Sequence, residues 1–324
     1  MKKTTGHSYT SNMAKLLKHI DNLKDIQNGK IRPIMAHIVP THRCNLSCVH
    51  CCFRNREDHN ADMPFEMFKE AISQLAQLGV KAIELTGGGD PTLYPNINVA
   101  IDYAKSRNMH IGLITNGLAL DKIRDLDRLD WIRISLNTLD YKTAIPDIDR
   151  AKKRSKVSFC YIWNENTSID QFKKVAAFCL KHEVVCRFAP DCIKTPGEIR
   201  RQLIEMHNII EIYGNDYTFL SDFNVNAGER PRGEPARDCF IHMIKPCIYL
   251  DGYVYACPSA ELALENKAQM NAEFRVCEIK NIEKFYNSPK AAEMRKHKCS
   301  YCKYVQQNEF MKELTRRTDF NEFA

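Results

Sequence analysis

The stretch Thr41-His42-Arg43-Cys44-Asn45-Leu46-Ser47-Cys48-Val49-His50-Cys51-Cys52 sets Cys44, Cys48 and Cys51 in a C-x3-C-x2-C triplet. Three thiolates on one short loop can hold three corners of a [4Fe–4S] cluster, whose usual ligand set is four, and leave the fourth iron open. Zinc sites more often use paired C-x2-C units that close four ligands, and the only local candidates for a fourth ligand are His50 and Cys52. A second group of cysteines lies in the tail: Cys239, Cys247, Cys257, Cys277, Cys299 and Cys302. There are 14 cysteines in all, tightly grouped at two places in a large chain. With no apolar signal core at the N-terminus, that grouping reads as metal binding rather than a disulfide framework.

Thr86-Gly87-Gly88-Gly89-Asp90-Pro91-Thr92 is the other stretch with chemical content. Consecutive glycines at the end of a strand tolerate φ > 0 and let backbone approach a ligand closely. Taken alone, a bare strand-to-helix turn explains them equally well.

The elements that must position these loops are legible from periodicity. Six β-rich runs occur at Ile34–Val39, Lys81–Thr86, His110–Thr115, Trp131–Leu136, Val157–Ile162 and Val184–Ala189. Helical spacing lies between them, as in Phe65, Phe68, Ile72, Leu75 and Leu78, with Pro64 suited to the first turn and Gly79 to the stop. Ile169, Phe172, Val175, Ala176 and Cys179 repeat the pattern. Alternating strands and helices predict a parallel sheet, with roughly six βα units in residues 34–215. A closed (β/α)8 barrel needs eight units in typically ~250 residues, so the expected fold is α/β, an incomplete (β/α)6 TIM-like barrel. The cysteine triplet directly follows the first run, at the C-terminal barrel face where such folds place their chemistry.

Residues 1–33 read as a polar, basic N-terminal extension with helical spacing only at Met13–Ile20. After Asp216 the rhythm breaks. Residues 227–235 read as linker, Ile248–Tyr255 as a hairpin around Asp251-Gly252, and the remainder as helical. A small C-terminal domain is expected at about 216–324.

With 44% hydrophobic residues, 324 residues can bury a sizeable core, which excludes wholesale disorder. A net charge of +7 permits an anionic partner without demanding one. No apolar run approaches the ~18 residues of a membrane span, so the expected setting is cytoplasmic, with no membrane partner. The basic run Arg150–Lys156 reads as a solvated face.

The triplet after the first strand, together with the Gly-rich turn after the second, resembles the radical S-adenosylmethionine (SAM) superfamily over residues 34 to about 190. The resemblance implies that the open iron is chelated by SAM and that an electron from the cluster cleaves the sulfonium. A 5′-deoxyadenosyl radical then removes a substrate hydrogen. It implies an electron donor such as flavodoxin or ferredoxin. It also implies that His50, before the last cysteine, lies against adenine, and that Gly87, Gly88, Gly89 and Asp90 hold the SAM amino group. The usual family motif is Gly-Gly-Glu where this chain has Gly88-Gly89-Asp90. By strand order, Asn116, Ser135 and Asn137 map to SAM-binding positions, and Arg187 to a fork for the SAM carboxylate.

The tail, Cys239-x12-Gly252-x4-Cys257 followed by Cys299-x2-Cys302, resembles the Twitch domain, a reduced SPASM domain carrying one auxiliary [4Fe–4S] cluster. Two clusters are therefore implied. The upstream ligand follows from pleat geometry. With a two-residue turn at Asp251-Gly252, Leu250 pairs with Tyr253 and Pro246 with Cys257, so Cys247 points away from Cys257. Cys239 is then the better ligand and Cys247 the runner-up, an order that a bulge would overturn.

A closed auxiliary cluster suits substrate oxidation or bond formation. A cysteine hydrogen donor among Cys52, Cys160, Cys179, Cys186, Cys192, Cys247 and Cys277 suits epimerisation instead. The substrate is expected to be a small molecule, nucleotide or peptide. The first two are preferred because barrel and tail leave no room for a separate peptide-recognition module. The rival from another class is a zinc-dependent nucleic-acid-binding protein.

Overall fold

The computed structural model describes residues 13–56, 58–213, 238–258, 271–294, 302 and 304–316. Six strands follow the predicted runs within one or two residues: β1 Met35–Val39, β2 Ala82–Leu85, β3 His110–Thr115, β4 Trp131–Ser135, β5 Lys156–Trp163 and β6 Cys186–Pro190. Each is parallel to the next. Their outward residues Ile38, Ile83, Ile111, Ile132, Ile134 and Phe159 are at most 1% exposed beneath the helices, which is why the runs stand out as apolar text. The sheet is open, as an incomplete barrel requires.

The helix Phe65–Gln77 turns Phe68, Ala71, Ile72 and Leu75 into that core, each large side chain contributing ~1.5–3 kcal/mol by burial. It stops in a Schellman arrangement: Gly79 has φ +81°, its N–H donates to the Ala76 carbonyl, and Val80 N–H donates to the Leu75 carbonyl. The helix Ile169–His182 buries Phe172, Val175, Ala176 and Cys179 as predicted, but Ile169 remains 43% exposed. Between β3 and β4 the predicted βα rhythm fails. The connection carries two 3-10 turns, Leu120–Lys122 and Leu126–Arg128, and no α-helix.

The N-terminal extension packs more closely than its composition implies. Beyond the turn Met13–Leu16, a helix Ile20–Gln27 buries Leu23 and Ile26. The tail strands do not form a sheet of their own. β7 Cys247–Tyr249 lies parallel to β1, while β8 Tyr253–Tyr255 and β9 Arg275–Glu278 continue antiparallel, giving the order β6-β5-β4-β3-β2-β1-β7-β8-β9. The expected boundary near residue 216 lies outside the described residues.

The hairpin register corrects the predicted pairing. Cys247 pairs with Tyr255 and Ile248 with Val254, so the turn has three residues, Leu250-Asp251-Gly252, with Gly252 at φ +92°. This shifts the register by one from a two-residue turn. Cys247 and Cys257 therefore share strand parity, and the elimination of Cys247 by pleat geometry does not hold.

Candidate active site

The cluster loop leaves β1 through a pinned neck. Thr41 bridges Asp62, its Oγ1 2.6 Å from Asp62 Oδ1, and Arg43 Nε donates to Asp62 Oδ2 at 2.8 Å. Cys44, Cys48 and Cys51 then line one cavity of about 460 Å³ together with Gly87, Gly88 and Gly89. The three thiols feel one another. Burial first, then the neighbouring Cys51 and Cys44, pushes the Cys48 thiol up to about 12. Burial also raises Cys44 and Cys51, the latter opposed by Arg56 beside it. Three such thiolates need a compensating cation, as iron provides. Among the described residues, no three His, Cys, Asp or Glu side chains are placed to hold a single metal ion; a cubane instead presents separate irons to separate thiols.

The glycines fit this loop by close backbone approach. A Cβ on Gly89 would lie 2.1 Å from the Arg43 carbonyl oxygen, and one on Gly88 2.6 Å from the His42 ring. Gly89 N–H donates to the Thr41 carbonyl at 2.8 Å and Asp90 N–H to the Arg43 carbonyl at 2.7 Å. The Gly-rich turn thus clasps the cluster loop as well as lining the cavity.

The other predicted residues divide. Asn116 Nδ2 donates to Asn45 Oδ1 at 2.6 Å and approaches Cys44 Sγ at 3.8 Å, so it faces the cluster loop. His50 has a buried Nδ1 without a hydrogen-bond partner, and burial lowers its pKa, which keeps the ring neutral. Asp90 is 3% exposed and does not line the cavity. Its carboxylate accepts from Thr92 N–H and Oγ1, from Thr115 Oγ1 and from Asn116 N–H, which bolts the β2 loop to the end of β3. The Asn137 amide is likewise taken up. It donates to the Ile162 carbonyl and accepts from Ile162 N–H, at 2.8 and 2.7 Å, extending the β4–β5 pairing. Ser135 Oγ lies 3.4 Å from Asn137 Oδ1.

Arg187 opens into a second, larger cavity of about 720 Å³ inside the barrel. Alternate residues of the strands point into it, among them His37, Glu84, Arg133 and Cys160. Its lining also includes Cys52 and Gly87, beside the first cysteine loop, and Cys247, Pro258 and Tyr304 of the tail.

The tail cysteines gather behind β1. Cys239, Cys247 and Cys257 are buried in one cluster with Tyr249, Tyr255 and Tyr304, and Cys302 packs against it. Cys302 Sγ accepts hydrogen bonds from Tyr304 N–H at 3.3 Å and Asn308 Nδ2 at 3.4 Å, the donors that suit a thiolate ligand. Cys299 lies outside the described residues.

Sequence reasoning missed Arg56, which is 9% exposed, donates to the His42 and Phe53 carbonyls, and lies against Cys51. It also missed Asn308, which ties Cys302 to the Phe240 N–H beside Cys239. Neither has a local signal; both matter through contacts that only the fold creates. The basic run resolves as expected into helix-surface pairing, with Arg154 on Asp127 at 2.7 Å and Arg150 on loop carbonyls.

Residues 38–165 match the family model of the radical SAM superfamily. The antilisterial bacteriocin subtilosin biosynthesis protein AlbA of Bacillus subtilis (strain 168) is 29% identical over 133 residues, 40% of this chain and 29% of that protein. A probable GTP 3′,8-cyclase of Pyrococcus horikoshii is 34% identical over 116 residues, 34% of this chain and 37% of that protein. These matches span about a third of the curated relatives' length. Among solved structures, Streptococcus suis SuiB bound to precursor peptide SuiA superposes with a TM-score of 0.57 at 17% identity, covering 92% of this chain and 78% of SuiB; at that identity the likeness concerns the fold. The chain carries a radical SAM domain. SAM and a [4Fe–4S] cluster are the cofactors that such a domain implies, and the cavity with its three thiols, close-set glycines and orphaned His50 nitrogen suits them. Among the described residues no helix is long and apolar enough to cross a membrane.

Proposed function

We infer that the chain is a radical SAM enzyme that works on a substrate held between two iron–sulfur clusters, for oxidation or bond formation. The observation that carries this reading is the barrel chamber, whose lining includes both Cys52 and Gly87 beside the first cysteine loop and Cys247, Pro258 and Tyr304 of the tail. When bound, SAM on a reduced cluster supplies a 5′-deoxyadenosyl radical for hydrogen abstraction.

The chain's own residues divide the remaining work. Cys44, Cys48 and Cys51 hold the first cluster; Gly87, Gly88 and Gly89 keep its loop within reach of a zwitterion; His50 offers a neutral ring to adenine. Arg187 offers a fork to the SAM carboxylate. Asp90 and Asn137 serve the site by fixing loops, with their polar atoms spent on the chain. In the tail, Cys257, Cys299 and Cys302 with Cys239 or Cys247 would hold the auxiliary cluster, in a domain spanning about 216–324. An external flavodoxin or ferredoxin would deliver electrons, consistent with a cytoplasmic setting.

A second reading rests on Cys160. Its thiol lines the chamber, between the charges of Arg133 and Arg187 and in hydrogen-bond contact with Ser135. Such a thiol could return a hydrogen atom, making the enzyme an epimerase. The relatives named for peptide maturation and for nucleotide cyclisation leave both substrate classes in play.

Iron analysis tests the two-cluster reading. Anaerobically purified protein should carry about eight irons, and the Cys44, Cys48 and Cys51 triple Ala variant about four. A Cys257→Ala, Cys302→Ala double variant should also hold about four. Four irons in the wild-type protein would remove the auxiliary cluster, and stoichiometric zinc without iron would overturn the whole reading.

A further inference from the structure

The first cysteine loop carries a buried cation of its own. After Cys51 the chain folds back through two tight turns, with Arg54 N–H donating to the Cys51 carbonyl at 3.1 Å and Arg56 N–H to the Phe53 carbonyl at 3.3 Å. These turns bring Arg56 to the cavity that Cys44, Cys48 and Cys51 line. Its side chain is held at two points, Nε donating to the His42 carbonyl at 3.0 Å and Nη1 to the Phe53 carbonyl at 2.7 Å. Those carbonyls belong to the residues that enter and leave the loop. The same side chain is in hydrogen-bond contact with the Cys51 sulfur, and its charge also reaches Cys44. Arg54 lines the cavity too, but it is exposed and its Nη1 donates to the Val49 carbonyl at 3.0 Å. A cation and a hydrogen bond on a thiolate ligand favour the more negative, reduced state of the cluster which that ligand holds. Water screens the exposed arginine far more than the buried one.

We propose that Arg56 is a positioning residue that sets the reduction potential of the first cluster, making it easier to reduce through the contact with Cys51. The proposal rests on the reading of Cys44, Cys48 and Cys51 as cluster ligands. It gives a residue outside the C-x3-C-x2-C triplet a part in electron uptake.

The test is a potential-controlled dithionite titration of the anaerobically purified full chain, followed by electron paramagnetic resonance. The first cluster is recognised as the signal that SAM alters, and its midpoint is read without SAM. In Arg56→Gln the ratio of reduced to oxidised cluster at a fixed potential should fall about tenfold or more, which is about 59 mV in a one-electron couple. Arg56→Lys keeps the charge and should fall no more than about threefold, and Arg54→Gln, which removes a solvated charge, less than about twofold. If Arg56→Gln does not hold iron, Arg56→Lys decides: iron retained at a midpoint near wild type supports the role of the charge, and iron lost from both variants makes Arg56 a brace of the loop and overturns the proposal. An unshifted midpoint in iron-loaded Arg56→Gln also overturns it, as do equal shifts in Arg56→Gln and either of the other two variants. Wild-type protein with no SAM-responsive signal would remove the cluster reading and the proposal together, an outcome distinct from an unshifted midpoint.

Discussion

Tyr249 Oη lies 2.6 Å from His42 Nε2, joining the strand that leads into the tail cysteines to the residue that leads into the first cysteine loop. His42 Nδ1 lies 2.7 Å from the Asp58 carbonyl, which can only accept, so Nδ1 carries the proton and Tyr249 donates to Nε2. Burial lowers the His42 pKa, which favours this neutral tautomer.

Tyr249→Phe leaves a buried acceptor on His42 without its donor. The expected cost is ~1–3 kcal/mol, read from urea unfolding of the variant against wild type. Loss of iron from the first site should accompany it, because the same ring supports Gly88. Unchanged stability and iron content would show that the two cysteine sites are mechanically independent.

Gly89→Ala and Gly197→Ala should behave oppositely. A Cβ at Gly89 meets backbone at 2.1 Å, whereas one at Gly197, in the helix Pro196–Tyr213, meets nothing within 4 Å. The first variant should lose the iron of the first cluster or fail to fold. The second should be neutral or more stable by up to ~1 kcal/mol. Circular dichroism melts with iron assay distinguish them.

Much of this arrangement was legible beforehand, and for a physical reason. Strands such as His110–Thr115 and Trp131–Ser135 pack one face beneath the helices, with Ile111, Leu113, Ile132 and Ile134 buried at alternate positions, so they stand out in the sequence as β-rich runs. The cysteine triplet and the glycine turn lie in short contiguous stretches, so their spacing is preserved in the text. What depends on distant partners was not legible: the His42–Tyr249 bond spans 207 residues of sequence. Gly252 at φ +92° shifts the hairpin register by one residue, which no periodicity records. Asp90 and Asn137 carry the polar side chains expected of ligand-binding residues, yet their hydrogen bonds are spent on the chain itself.

Glu84 links the chamber to acid stability. Burial raises its pKa, but the adjacent His37, then Arg133 and Lys245, overcome that and bring it to about 2. A carboxyl depressed from an ordinary ~4.3 contributes stability above that value and loses it as pH falls toward the folded-state pKa. Glu84→Gln should therefore be less stable than wild type by on the order of 3 kcal/mol above pH ~5. The gap should close between pH ~5 and ~2 in urea titrations. A gap independent of pH would contradict the pairing.

Cys160→Ala separates oxidation or bond formation from epimerisation. If the auxiliary cluster closes the reaction, the variant should keep turnover within a few-fold, apart from a packing loss of ~1–3 kcal/mol, and product should carry no solvent deuterium. One solvent deuterium in wild-type product, with an oxidised by-product in the variant, would make Cys160 the hydrogen donor.

Radical SAM chemistry is read most directly by reducing the anaerobically purified full chain in the presence of SAM and measuring 5′-deoxyadenosine. Wild-type protein is expected to form it, and Cys48→Ala, which presents an incomplete set of thiolates, to form none. Wild-type protein that carries its iron and yields no 5′-deoxyadenosine, or a Cys48→Ala variant that yields as much as wild type, would contradict the assignment.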